Sequence, residues 1–188
     1  MNTTHAQPVT AEQRAAFDRD GYLVIRGALG PDEVAAARQA LDRVYTSMAK
    51  AGSLAPDGSM HLLSAVANCP QVAGLIDHPA TFPYVWSTLG WNIHVHHSHA
   101  RSRNYSAHTR KAVFFGYTYR WTVIRDDIAS MRTSDWFGRL TPVQQQLLGG
   151  AGHADGDHAW GHDPATSPLY GWLQERGLLD PANPPLRP

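Results

Sequence analysis

Four of the eleven histidines fall in one short run, at His94, His96, His97 and His99. Imidazole is the commonest metal ligand among side chains, so a cluster of this kind invites a metal hypothesis. The flanking Ile93 and Val95 alternate with His94 and His96, which is the period of a strand. That period places His94 and His96 on one face, and His97 and His99 on the other. The bland reading of the run is a polar sheet face. Eleven positions after His99 stands Arg110. A guanidinium offers a planar fork for a carboxylate, or more simply pairs with a surface acid at a strand edge. His153-Ala154-Asp155 joins an imidazole to a carboxylate at ligand spacing, but in a glycine-rich stretch that reads as a solvated loop, as do His158 and His162-Asp163.

Bulk properties narrow the setting. A chain of 188 residues with 43% hydrophobic side chains can bury the core of a single domain. Sixteen basic side chains balance sixteen acidic ones, so no chain-wide charge favours nucleic acid or an anionic membrane surface. No apolar run reaches the ~18 residues of a membrane span, and the polar start, Met1 to Gln13, predicts no signal peptide. Cys69 has no cysteine to pair with inside the chain. Together these predict a cytoplasmic protein. Cys69 itself, near a proline and an apolar run, reads as a buried small side chain.

The elements that must position the histidines and the arginine follow from local signals. Thr10 with Gln13 has capping-box spacing and predicts a short helix to about Asp20, broken by Gly21. Tyr22 to Ile25 is a β-prone run closed by Gly27, and predicts a strand. Pro31 opens a second helix, whose apolar stripe of Val34, Ala37, Leu41, Val44 and Met48 ends at Gly52. Helical segments are expected over 61–67 and 70–89, the latter interrupted by Pro79 and Pro83. A strand then starts near Trp91. Ala112 to Val123, dense in aromatic and β-branched residues, predicts another, with Gly116 as a candidate bulge. Thr141-Pro142 and Ser167-Pro168 each open a helix in the tail. Residues 10–90 thus form a helical part, 91–125 the strands and 126–188 a helical and loop tail of one domain.

In this order the pieces resemble a known family. His99-Ala100-Arg101-Ser102-Arg103-Asn104-Tyr105-Ser106, then Thr109-Arg110-Lys111-Ala112 and Phe114 to Trp121, look like the C-terminal barrel strands of phytanoyl-CoA-dioxygenase-like enzymes. In that family a metal histidine precedes an Asn-x-Ser turn, and an arginine follows after ten intervening residues. Phe17, Asp20-Gly21-Tyr22, Val24 and the helix from Pro31 resemble the family's opening elements. The likeness spans roughly residues 10 to 125. It implies an α+β fold in which N-terminal helices pack on a double-stranded β-helix of jelly-roll or cupin type. It also implies an iron(II)- and 2-oxoglutarate-dependent dioxygenase that hydroxylates a small organic molecule. His99 would then be the distal metal ligand and Arg110 the clamp on the 2-oxoglutarate carboxylate, with Asn104 and Ser106 shaping the turn between them.

One departure from the family pattern is large. The His-x-Asp pair that supplies two iron ligands should precede the distal histidine, yet none lies between Trp91 and His99. Eight strands of ~5–6 residues with ~4–6-residue connections need about 80 residues, whereas Trp91 to Arg125 holds 35. The expectation is therefore an incomplete barrel whose strand edges invite a homodimer. The competing reading is a truncated, inactive member that binds metal through His94, His96 and His99 without turnover.

Overall fold

The computed structural model describes residues 9–101, 110–150 and 164–179. Helix α1 (Ala11–Asp20) starts at the anticipated capping box: the Thr10 hydroxyl accepts from Gln13 N, and Gln13 Oε1 accepts from Thr10 N. It stops at Gly21, whose φ of 74° is left-handed backbone that glycine adopts without strain. Helix α2 (Pro31–Lys50) begins on its proline and buries Ala40 and Leu41. Tyr22 to Ile25, expected to be a strand, is extended but joins no sheet among the described residues. Leu23 and Ile25 turn inward to line a groove with α1 and α4 (Phe82–Leu89), while Tyr22 and Val24 face solvent. The alternation is real, and a helix rather than a strand receives it.

The expected helix over 61–67 divides in two. His61–Leu63 is strand β1, with Leu62 buried and its neighbours outward. Ser64, in left-handed backbone at φ 47°, breaks the extended run, and α3 (Ala65–Asn68) follows. Asn68 Nδ2 donates to the carbonyls of Leu63 and Ser64, so this sharp corner leaves neither oxygen unpaired. A 3₁₀ turn over Pro70–Leu75 then leads to α4.

Strand β2 (Ile93–Arg101) lies at the centre of an antiparallel sheet of order β1-β2-β3, with β3 spanning Ala112–Tyr119. One face of this sheet is covered. Ile93, Val95 and Ala100 of β2 and Leu62 of β1 pack into a core with Val66, Val72 and Ile76 from the α3 region and with the tail helices α6 (Pro142–Leu147) and α7 (Pro168–Glu175). Two short elements of the tail were not anticipated: α5 (Ile128–Arg132), capped by the Asp127 side chain, and a 3₁₀ turn at Phe137–Arg139. Gln146, fully buried, ties α6 and α7 to the sheet. Its amide donates to Trp91 O and Ile93 O, and its oxygen accepts from Ser167 Oγ and Leu169 N.

The architecture is thus mixed helix and strand, with a small three-stranded antiparallel sheet. No described helix is long and apolar enough to cross a membrane.

Candidate functional site on the open face of the sheet

The pairing register decides which way each histidine points. Val95 faces Tyr117 and His97 faces Gly116, leaving His96 as an extra residue with no partner on β3. The bulge therefore lies at His96 on β2, and Gly116, the anticipated bulge residue, is an ordinary ladder position opposite it. A one-residue insertion exchanges the faces of everything beyond it. His94, His97 and His99 end up on the face turned away from the core, which is open at Phe114 but closed over His94, and Ser98 and Ala100 on the covered one. The expected sharing of a face by His94 and His96 is thereby corrected, whereas His97 and His99 do share one.

These imidazoles have separate tasks. His94 is fully buried, and its Nε2 lies 3.1 Å from Thr122 Oγ1. The Thr122 hydroxyl already donates to Tyr119 O at 2.9 Å, so His94 must be the donor, from Nε2. His96 Nδ1 sits 2.9 Å from Val123 O, which can only accept, so His96 donates from Nδ1. The chain beyond β3 thus runs back beside β2. Arg125 N donates to His96 O, and the Asp126 carboxylate accepts from Ser98 N at 2.8 Å and Ser98 Oγ at 2.5 Å. This segment covers the flank of β2 that β1 is too short to reach, so less strand edge is open than the sequence suggested.

His97 and His99 stack at 5.5 Å between centroids, and His99 stacks in turn on Phe114 at 4.7 Å. His61 of β1 meets the edge of His99 at 6.4 Å. His61 carried no signal in the sequence, because only the β1–β2 register brings it there. Glycine at 116 makes room for the ladder: a Cβ built there would stand 2.4 Å from His97 Cε1.

Arg110 precedes β3 and is exposed. Lys111 pairs with Asp42 of α2 at 2.6 Å, on the helix side of the sheet. Arg110 itself stands two residues before the first residue of β3. Phe114 lies opposite His99, so Arg110 is displaced from it by four residues, about 13 Å of strand. Asn104 and Ser106 lie outside the described residues, as do His153, Asp155, His158 and His162. Arg120, just past the end of β3, is only 1% exposed, and burial lowers the pKa of its guanidinium.

An iron(II) site of the facial type needs two histidines and a carboxylate converging on one point. Among the described residues no three His, Cys, Asp or Glu side chains form such a group. Asp126, whose carboxylate reaches the histidine run, is engaged at Ser98. Nor do His94, His96 and His99 converge, since two of them are turned to Thr122 and Val123. The described residues therefore do not fit an iron ligand set by themselves.

Comparison with known proteins gives one point of contact. The ectoine dioxygenase of Sphingopyxis alaskensis is 25% identical over 151 residues, which is 77% of this chain but 46% of that protein. The chain thus spans about half the length of the curated relative it matches. No family model matches the chain, and no solved structure matches it.

Proposed function

We propose that this chain is a dioxygenase-type oxidoreductase domain that uses iron(II) and 2-oxoglutarate to oxygenate a small organic molecule, with its reacting centre on the open face of the sheet. The observation that carries this reading is the placement of His99 and Arg110. The β2–β3 register sets His99 opposite Phe114, four residues from Arg110, which is about 13 Å of extended chain, a spacing that a bound metal and a five-carbon dicarboxylate would fill. Similarity to an enzyme named a dioxygenase supports the oxidative reading over the inactive alternative.

Arg110 would hold the far carboxylate of 2-oxoglutarate in a bidentate pair. His99 would offer one imidazole nitrogen, oriented by its stack on Phe114. The remaining donors must come from outside the described residues or from a second polypeptide. The test is an anaerobic titration with iron(II) and 2-oxoglutarate, followed by measurement of succinate on admitting oxygen. Succinate release that Arg110→Ala suppresses is the expected outcome. A folded protein that releases none, or an Arg110→Ala variant that binds 2-oxoglutarate unchanged, would refute the corresponding part of the reading.

A further inference from the structure

A second candidate site lies away from the histidines, where α4, α6 and α7 meet. A groove of about 650 Å³ opens there between Pro79, Phe82 and Pro83 on one wall and Pro142, Pro168 and Trp172 on the other. Its volume is in the range that encloses a small organic ligand. Among the described residues, the formally charged side chains that line it are Asp77 and Glu175, both acidic. Glu175 is neutralised locally by Arg176 at 3.5 Å. Asp77 is not: its Oδ1 accepts from the Gln144 amide at 2.8 Å, and no lysine or arginine pairs with it among the described residues. His78, its neighbour in sequence, is committed to Glu33 at 3.1 Å.

A half-buried carboxylate without a counter-ion carries a desolvation cost that well-packed folds rarely keep. Packing gives no reason for an acid here, because asparagine would accept the same Gln144 bond. An anionic wall faced by prolines and aromatic rings suits an organic cation, whose charge meets the carboxylate while its alkyl groups cover the apolar surface. Trp172 adds an aromatic ring to that wall, with the Arg176 guanidinium 4.4 Å from its centroid.

We propose that the groove between α4, α6 and α7 binds a small organic cation of the alkylammonium class, with Asp77 as its anionic anchor. The site is independent of the histidine face, and its occupation does not require the dioxygenase reading.

Calorimetric titration of the full chain with choline chloride and with n-butylammonium chloride tests it. The wild type should bind at least one of these and should discriminate by about tenfold or more against the uncharged tert-butyl isostere of choline. Asp77→Asn keeps the shape and the Gln144 acceptor and should lose about tenfold or more in affinity, while its thermal midpoint stays equal to or above that of the wild type. Glu175→Gln should bind nearly as the wild type does. Absence of binding to either ammonium salt at millimolar concentration would overturn the proposal. So would equal binding of the isostere, or an Asp77→Asn variant that binds unchanged.

Discussion

Replacing Gly116 by alanine puts a methyl carbon where the His97 imidazole already lies. The new Cβ would stand 2.4 Å from His97 Cε1 and 2.7 Å from Nδ1, far inside the 3.5–4.0 Å at which carbon atoms attract. Backbone at 116 can accept alanine, since no positive φ is involved, so the whole penalty falls on the ring. His97 cannot swing away without loss, because it is stacked on His99 and meets His96 edge-on at 5.4 Å. Its Nδ1 is also buried without a hydrogen-bond partner among the described residues, so the ring is held by packing rather than by a bond.

Overpacking of this kind costs about 1–3 kcal/mol. Removing glycine from a strand interior returns roughly 0.5–1 kcal/mol. The net expectation for Gly116→Ala is a loss of about 0.5–2 kcal/mol. With His97→Ala in place the obstacle is gone, and the same Gly116→Ala change should stabilise by roughly 0.5–1 kcal/mol. The reversal of sign is the diagnostic, read from urea midpoints at unchanged m-value in a double-mutant cycle. If Gly116→Ala shifts stability by the same amount and sign in both backgrounds, the ring does not occupy that space and the placement of the bulge at His96 is wrong.

Two further outcomes rest on buried polar groups. Gln146→Leu removes all four of its hydrogen bonds and strands the carbonyls of Trp91 and Ile93 with the donors of Ser167 and Leu169. It should cost about 3–5 kcal/mol, seen as a fall of roughly 10 °C in the thermal midpoint, and a loss under ~1 kcal/mol would refute the view that this residue fastens the tail to the sheet. Asp77 titrates above its unfolded value of 3.8 because burial penalises the anion. The folded state therefore holds that proton more tightly than the unfolded state, and this group's contribution falls as pH rises from about 3.8 through the raised value, then levels off. Asp77→Asn should accordingly stabilise the protein at neutral pH and make no difference below that window, and chemical denaturation of both proteins across the range would expose a failure of either half.

What could be read in the sequence, and what could not, divides along a physical line. The helix starts at Thr10 and Thr141 are set by one residue and its third neighbour, and both capping boxes form as read. Pro31 and Gly21 act equally locally. Tyr22 to Ile25 had the composition of a strand, but a strand exists only against a partner, and here α1 and α4 take its inward side chains instead. His61 to Leu63 had the reverse fate, gaining a partner in β2 that nothing nearby announces.

The histidine run shows the same limit at the site itself. Period-two reasoning treats a strand as uniform, yet whether His96 counts as a ladder position depends on Gly116 across the sheet and on Arg125 bonding from the other flank. That one unpaired residue sends His94 to Thr122 and His96 to Val123, and leaves His97 and His99 stacked with Phe114. A run that reads as a single chelator is thus divided among a buried hydrogen bond, an edge contact and an aromatic stack. The spacing from His99 to Arg110 survives this division, because Lys111 is tied to α2 and β2 and β3 pair in register around His99 and Phe114. The dioxygenase reading depends on this pair, His99 and Arg110, rather than on the density of histidines.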